Sequence, residues 1–468
     1  MSLGAGLLAV VAATCLNGCG RPADGPTGPR RDQLQADEKR FALAAGCRNC
    51  HERIDDQYRG SMHAQSLNDP VFRAHYYDEF LPAFHADPEA FADERSCLSC
   101  HSPIAFVLQY EAIREKTTQA GAGAADGECD VCHEETTLKL NKQTPGVECD
   151  VCHRIEQYKG DAPGNSNYVL TPGLVKFGPF RSKDNFHREY RDLQTRAELC
   201  AICHDTANRY GVKIRTTYQE WLAGPYSKRG IQCQDCHMNK IGFLTAGRPT
   251  YESGQASKMT MGIKTASHDK LSTHRFPGAH SNTQVDGALT LEFRVEGKYA
   301  AAGSPLRLAV HVSNEKTGHR MPTGSVELRV VWLDVVAKIG DDELPIRLEG
   351  KQDPYGVSGA SESDDWVLGD DIPAGKRIYR VVFTDEAGEH TLFSYDARKR
   401  VFDNRLPAAG RRTEPYVVDV PASARGWIQL DATLYYLRYP PGFAKRLEVP
   451  ELVALPFAWA KGEILVNE

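Results

Sequence analysis

Six copies of the pattern Cys-x-x-Cys-His constrain this chain of 468 residues more than any other feature. They are CRNCH (Cys47–His51), CLSCH (Cys97–His101), CDVCH (Cys129–His133), CDVCH (Cys149–His153), CAICH (Cys200–His204) and CQDCH (Cys233–His237). The pattern is the attachment word of c-type haem, in which two thiols on one helical turn form thioethers and the adjacent imidazole binds the iron. The sequence therefore predicts six covalently bound c-type haems, and we name each word by its first cysteine.

Twelve of the fourteen cysteines lie in these words, so the thioether bonds and one axial ligand per iron are assigned directly. The predicted thioether residues are Cys47, Cys50, Cys97, Cys100, Cys129, Cys132, Cys149, Cys152, Cys200, Cys203, Cys233 and Cys236. The predicted proximal ligands are His51, His101, His133, His153, His204 and His237. Four-cysteine zinc sites or thioredoxin-like redox pairs would leave these six histidines unexplained.

The first forty residues predict export. Residues Leu3–Leu16 are almost wholly apolar, too short to span a bilayer but suited to the apolar region of a signal peptide. The segment Leu16–Cys19 resembles a bacterial lipobox, which implies that Cys19 is lipidated and tethers the protein to a membrane. An ordinary cleaved signal peptide is the alternative. We therefore assign residues 1–19 to the leader and 20–40 to a flexible linker.

The predicted fold class is α+β. Residues 41–284 form the predicted haem domain, with short helices such as Asp192–His204, many loops, and haems supplying much of the core. Residues 285–468 contain no cysteine and predict an antiparallel β-sandwich of immunoglobulin type. The predicted strands are Ala288–Gly297, Leu306–Ser313, Val326–Ala337, Arg377–Thr384 and Asp431–Tyr439.

Several longer segments carry a family resemblance. They are Tyr58–Ser66 (YRGSMHAQS), Ser96–Pro103 (SCLSCHSP), Gly146–Ile155 (GVECDVCHRI), Thr216–Tyr226 (TTYQEWLAGPY), Gly230–Met238 (GIQCQDCHM), His274–His280 (HRFPGAH) and Gly318–Gly324 (GHRMPTG). Over most of residues 45–325 the chain resembles the cytochrome c-554 and c-prime family, relatives of the hydroxylamine oxidoreductase electron-transfer system. The resemblance implies a multihaem electron-transfer module, and such modules commonly precede a β-rich tail.

Ten histidines outside the words can supply the second axial ligands. The resemblance implies that His63, His187 and His274 are distal ligands, and we add His280 from the same HRFPGAH motif. His85 follows Cys47 by 38 residues, as His187 follows Cys149, so a three-plus-three repeat of the words would make it a ligand as well. His75 and His268 are reserves. His311 alternates with core-facing residues and is predicted to be solvated, and His390 is predicted to lie in an exposed loop.

The loop GHRMPTG is the remaining candidate. Its glycines and proline are typical of a turn that needs no function, with Met321 filling the core. The same residues would also fix a rigid loop at one end of the sandwich, where ligands are usually presented. We therefore predict His319 as a distal haem ligand donated by the β-domain, and Met321 as the less favoured alternative.

Electron transfer between exported redox partners is the predicted function, because six haems in one chain can form a relay. The net charge of −6 gives no sign of nucleic-acid binding and favours partners with positive docking faces. Two other classes stay open. One is an oxidoreductase acting on a small nitrogen or sulfur compound at a five-coordinate haem, with the Cys97 and Cys129 words as first suspects. The other is a homo-oligomeric conductive filament. The predicted location is the periplasm, or the outer membrane or cell surface through lipidated Cys19.

Overall fold

The structure, a computed structural model, describes residues 41–90, 95–108, 144–171, 173–181, 188–258, 265–362, 365–369 and 372–467. The predicted leader and linker, the whole Cys129 word and His187 lie outside the described residues.

The part of the chain up to residue 285 is built from short helices. They are α1 (Ala44–Arg59), α2 (Pro70–Ala74), α3 (Leu81–Ala86), α4 (Leu98–His101), α5 (Pro103–Val107), α6 (Cys149–Arg154), α7 (Ala197–His204), α8 (Thr217–Ala223), α9 (Pro225–Lys228), α10 (Cys233–His237) and α11 (Asn282–Val285). A π-helical turn (His75–Phe80) joins α2 to α3. The predicted helix over Asp192–His204 is a 3₁₀ turn (Asp192–Thr195) followed by α7.

Within the described residues, four two-stranded sheets connect these helices. Their strands are β1 (Ile155–Tyr158), β2 (Tyr168–Leu170), β3 (Lys176–Gly178), β4 (Arg188–Tyr190), β5 (Thr206–Ala207), β6 (Lys213–Arg215), β7 (Glu252–Gln255) and β8 (Ser267–Leu271). Each pair is antiparallel except β3 with β4, which is parallel.

The C-terminal part contains many strands. They are β9 (Thr290–Val295), β10 (Tyr299–Ala301), β11 (Pro305–Asn314), β12 (Val330–Ile339), β13 (Asp342–Leu344), β14 (Ile346–Leu348), β15 (Arg377–Tyr379), β16 (Val381–Thr384), β17 (His390–Thr391), β18 (Lys399–Asp403), β19 (Gly410–Asp419), β20 (Gly426–Leu437) and β21 (Leu455–Asn467). Two short helices, α12 (Asp365–Leu368) and α13 (Pro441–Leu447), interrupt them.

Two sheets share one apolar core in this part. One has the order β10-β21-β20-β12-β13, with β15 also paired to β12, and the other has the order β14-β19-β11-β9. Alternate residues of their long strands, such as Val310 of β11, Val331 of β12 and Leu434 of β20, are fully buried in that core. The mixed helix and strand content is confirmed, with the strands concentrated in the C-terminal part. The pairing is not wholly antiparallel, since β10 runs parallel to β21.

One strand prediction and one histidine prediction are wrong. The predicted strand Arg377–Thr384 is broken at Arg380, so that β15 pairs with β12 and β16 pairs with β17 and β18. Arg380 is buried, and its Nε donates to the carbonyl of Tyr355 at 2.8 Å, which holds the chain at the point where it changes sheet. His390 is not in an exposed loop: it lies in β17 and is 6% exposed. His311 is half-exposed, and its Nδ1 lies 2.9 Å from the Thr413 hydroxyl on the neighbouring strand.

Polar contacts join the helical and β-rich parts. The guanidinium of Arg215 on β6 pairs with both carboxylate oxygens of buried Glu327, at 2.9 and 3.0 Å. Arg446 on α13 pairs with Glu79 at 2.8 and 2.9 Å. The division between residues 284 and 285 stays a prediction. Among the helices of the described ranges, none combines the length and the apolar character that a membrane span requires.

Candidate haem-binding site

Each of the five described words lies on a helix, in α1, α4, α6, α7 and α10, with Cys97 at the N-cap of α4. A helical turn puts the two cysteines of a word on one face because they are three residues apart. The ten cysteines of these words are half-buried and form no disulfide. Both thiols of each described word are therefore available for thioether bonds on one side of a helix. At His51 the backbone leaves helical geometry, so α1 is kinked at the predicted iron ligand.

The backbone orients the predicted ligands through Nδ1. His51 donates from Nδ1 to the carbonyl of Ala256 at 3.0 Å, and His101 to that of Ser66 at 3.0 Å. The Nδ1 of His153 donates to the carbonyl of Phe177 at 2.6 Å, and that of His319 donates to the carbonyl of Arg320 at 2.9 Å. A carbonyl can only accept, so Nδ1 carries the proton and Nε2 keeps its lone pair. This is the tautomer and orientation that a metal-binding histidine needs.

Three pairs of imidazoles share one ring-centre separation, 6.3 Å: His63 with His204, His274 with His153, and His319 with His237. Two imidazoles that bind one metal ion across bonds of about 2.0 Å would have ring centres about 6.2 Å apart, because each centre lies about 1.1 Å behind its nitrogen. Each pair contains the proximal histidine of a word and one predicted distal histidine. The residues present therefore fit three haem irons with two histidine ligands each.

The buried imidazoles are held neutral. Burial, followed by the effect of the neighbouring imidazole, lowers the pKa of His63 to about 3 and that of His274 to about 3. The same causes lower the pKa of His237 to about 4. Near neutral pH these side chains are unprotonated, which is the form that binds iron.

The loop GHRMPTG is held rigidly beside α8 and α9. The carbonyl of His319 accepts from Asn314 Nδ2 at 2.9 Å and from the Thr317 hydroxyl at 2.9 Å. Met321 is 6% exposed, belongs to the apolar core of the β-rich part and pairs through its backbone with Leu406. The loop thus presents the imidazole of His319 to the Cys233 word and turns Met321 away into the core.

Two other predicted ligands have different surroundings. His280 is 40% exposed, with Nε2 3.4 Å from the Asp69 carboxylate and Nδ1 against the guanidinium of Arg438. Burial and the charge of Arg438 lower its pKa. His85 lies exposed on α3, with its ring 5.6 Å from that of Phe84. The structure does not bring these two histidines into the 6.3 Å pairs, and both assignments stay predictions.

The two reserve histidines lie against aromatic rings. His75 packs within 5.2 Å of Phe393 and 5.8 Å of Tyr395, and its Nε2 is buried without a hydrogen bond in the described part of the chain. His268 stacks on Phe180 with ring centres 3.7 Å apart.

Contacts between the thiols show which words are neighbours. In three pairs, the second thiol lies close enough to the first to shift its pKa: Cys47 with Cys149, Cys100 with Cys203, and Cys200 with Cys233. Ile155, two residues after His153, packs in one apolar cluster with Ile202 and Cys203 of the Cys200 word. The Cys47 word thus adjoins the Cys149 word, which adjoins the Cys200 word. The Cys97 and Cys233 words both adjoin the Cys200 word.

Two aromatic residues that contact predicted ligands were missed by the sequence analysis. Phe72 on α2 stacks on the ring of His101 at 3.9 Å, and nothing in the sequence around Phe72 indicates this contact. Phe276 lies 4.4 Å from the ring of His63 and has φ of 31°, in the left-handed region that a non-glycine residue rarely adopts. Its position in HRFPGAH, two residues after His274, was the only indication in the sequence that Phe276 lies near a ligand.

Comparison with known proteins gives a family match for one segment and a fold likeness for the chain. Residues 46–134 match the family model of cytochrome c554 and c-prime. The penta-haem cytochrome c552 from Thermochromatium tepidum superposes with a TM-score of 0.59 at 20% identity, covering 90% of this chain and 99% of that chain. The sporulation control protein Spo0M from Bacillus subtilis matches over 39% of this chain and 50% of that chain at 9% identity. Its TM-score of 0.15 is too low to indicate a shared fold. No curated protein matches the chain in sequence.

The chain therefore has the fold of a multihaem cytochrome c. More particularly, its first part is similar in sequence to the cytochrome c554 and c-prime family, and the resemblance noted in the sequence is confirmed over residues 46–134. Covalently bound c-type haem is supported as the cofactor, and electron transfer is favoured as the class of function.

Proposed function

We propose that the chain is a six-haem electron-transfer protein whose haems form one connected relay. The observation that carries the proposal is the set of three imidazole pairs at 6.3 Å, each joining a word histidine to a distal histidine. Bound haem supplies the reversible Fe(III)/Fe(II) couple. Two histidine ligands fill both axial positions of an iron and so suit transfer rather than substrate binding.

The thiol contacts support a branched order for the relay. Thioether cysteines lie at the haem edge, so contact between cysteines of two words brings two haem edges together. The order is Cys47, Cys149, Cys200, with the Cys97 and Cys233 words both joined to the Cys200 word. The Cys200 word is therefore the branch point. The Cys129 word completes the count of six from its sequence alone.

The chain's charge and leader motif support the remaining parts of the proposal. A net charge of −6, before the haem propionates are added, favours redox partners with positive docking faces. Haem attachment and the leader-like segment support an exported protein, tethered through lipidated Cys19 at the periplasm, outer membrane or cell surface. Assembly with further copies of the chain is part of the same proposal.

Electron paramagnetic resonance of the oxidised protein, combined with a haem count, tests the relay. We expect six haems per chain and low-spin signals, because two nitrogen ligands produce a low-spin iron. A large high-spin signal that changes on adding nitrite or hydroxylamine would contradict a pure relay and support the oxidoreductase instead.

His319→Ala tests the ligand donated by the β-rich part. We expect one haem to change from low to high spin and its reduced form to bind carbon monoxide, since one iron loses its second ligand. Added imidazole should restore the low-spin signal. The matched control is His311→Ala, which removes a half-exposed histidine that hydrogen-bonds Thr413 on the outer face of β11. An unchanged spectrum for His319→Ala would contradict the assignment.

A further inference from the structure

One buried carboxylate of the helical part holds the loop that carries His319. Glu220 lies on α8 within the motif EWLAGPY, and its side chain is 5% exposed. Its Oε2 accepts the backbone N–H of Arg320 at 3.2 Å and the hydroxyl of Thr323 at 2.9 Å. Both donors belong to GHRMPTG, and Arg320 directly follows His319. Glu220 thus binds the loop on the C-terminal side of the ligand.

The other carboxylate oxygen of Glu220 is paired as well. Its Oε1 lies 2.7 Å from NH1 of Arg405, whose side chain is 1% exposed, and accepts the Thr216 hydroxyl at 2.7 Å. Arg405 also donates to the carbonyl of Pro322 in the loop at 3.1 Å and pairs with Asp403 at 3.0 Å. Although burial opposes the charge of Arg405, Asp403 and Glu220 raise its pKa. The ion pair therefore crosses from the helical part to the β-rich part with the loop bound to both partners.

The rest of the motif fixes the opposite side of the same site. Trp221 donates from Nε1 to the carbonyl of Ile231 at 2.9 Å, two residues before Cys233. Tyr226 lies so close to Gly318 that a Cβ on this glycine would be 2.8 Å from Cδ2 of the tyrosine ring. Both His237 and His319 are therefore connected to α8 and the residues that follow it.

We infer that Glu220 is a positioning residue that keeps His319 at the second axial position of the Cys233-word haem. The inference rests on the proposed ligand role of His319. A glutamine has one acceptor oxygen where the carboxylate has two, so either the loop loses its acceptor for Arg320 and Thr323, or the buried charge of Arg405 faces an NH2 group. The loop then carries His319 away from His237, and the sixth coordination position of that iron opens in a fraction of the molecules.

The test compares Glu220→Gln with a matched variant, Glu414→Gln, in the full haem-loaded chain. Glu414 is also a buried carboxylate, 2.7 Å from Arg377 and also bonded to Tyr379, but it lies on β19 within the β-rich part. Carbon monoxide binding by the reduced protein, together with the spin state of the oxidised protein, measures the open position.

We expect Glu220→Gln to bind carbon monoxide at up to one haem per chain, with a matching loss of low-spin signal that added imidazole reverses. Glu414→Gln should retain the wild-type values. Equal carbon monoxide binding by wild type and Glu220→Gln would overturn the inference, as would an equal rise in Glu414→Gln.

His319→Ala separates failure of this inference from failure of the proposed function. If His319→Ala opens a position and Glu220→Gln does not, only the positioning role is wrong. If neither variant changes, the ligand assignment itself is wrong. Should Glu220→Gln fail to accumulate with its haems, Thr323→Val decides, because it removes one hydroxyl donor to Glu220 at nearly constant shape. We expect Thr323→Val to bind carbon monoxide above the wild-type level, and wild-type binding would overturn the inference.

Discussion

At the scale of single residues, the pairing of His63 with His204 depends on close backbone packing around His63. Gly146 lies beside the segment that carries His63, and a Cβ there would be 2.5 Å from the carbonyl oxygen of His63 and 2.8 Å from that of Ala64. These are backbone atoms, so the new methyl group would displace the distal ligand itself. Gly146 precedes the Cys149 word, yet it must be a glycine for the sake of the other haem, the one between His63 and His204.

Gly146→Ala should destabilise the haem-loaded protein by about 1–3 kcal/mol, the usual cost of an overpacked site. It should also perturb the low-spin signal of the haem between His63 and His204. Urea unfolding followed at the Soret band measures the first effect, and paramagnetic resonance the second.

Gly46→Ala is the control for that substitution. A Cβ at Gly46 has no atom within 4 Å, and the residue lies within helix α1. Alanine there should leave the spectrum unchanged and stabilise the protein by about 0.5–1 kcal/mol, because alanine loses less entropy in a helix than glycine. Equal destabilisation by both substitutions would contradict the steric explanation.

At the scale of elements, the word helices α4, α6, α7 and α10 have only four to eight residues and are too short to be stable on their own, so buried side chains must fix them. In α6, Asp150 lies within the Cys149 word and faces Arg154 one turn later at 3.8 Å, with both side chains 1% exposed. The Asp150 carboxylate also pairs with Lys176 of β3 and accepts the backbone N–H of Ala42 at 2.9 Å. One carboxylate therefore connects the word helix to a strand and to the segment before α1.

Asp150→Asn should destabilise the protein by about 3–5 kcal/mol, because it leaves buried positive charge without its partner. The control is Asp192→Asn, which removes a carboxylate that faces Arg196 at the same spacing, 3.6 Å away. The side chains of Asp192 and Arg196 are 63% and 48% exposed, respectively. An exposed pair contributes about 0–1 kcal/mol. Denaturant unfolding of both variants measures the difference, and similar losses would show that burial of Asp150 does not matter.

At the scale of the whole molecule, the two parts of the chain have cores of different kinds. The β-rich part has a large continuous core that includes Leu306, Val331 and Leu434. The apolar clusters of the helical part are small, such as the one formed by Ile155, Leu193 and Ile202. Because burial of apolar area is the main favourable contribution to folding, we expect the helical part to depend on bound haems for its core.

The chain produced without haem attachment should therefore retain only its β-rich part. We expect limited proteolysis to leave a resistant fragment that begins near residue 285, and circular dichroism to show strand content with little helix. The haem-loaded chain, treated in parallel, should resist cleavage between the word helices. Degradation of the entire apo-chain at one rate would contradict an independent β-rich core and the predicted boundary.

The sequence by itself determined the chemistry that is local along the chain. The spacing of two thiols and an imidazole lies within one helical turn, so the attachment residues could be read from the words. The alternation of apolar residues likewise predicted β9, β11 and most of β12 and β20. His63 and His274 were predicted as distal ligands from motifs with a family resemblance, and His319 from a rigid loop at one end of the predicted sandwich. Each faces a word histidine in the structure.

Only the tertiary structure decided which word each distal histidine faces and which words adjoin. His63 faces His204, 141 positions along the chain, because long-range packing and not sequence order brings them together. His280 shares its motif with His274, yet it faces Asp69 and Arg438, because the chain turns between them and His280 ends the short 3₁₀ turn Gly278–His280. The partnership of Glu220 with Arg405 and the His319 loop joins two parts of the fold that no local pattern connects.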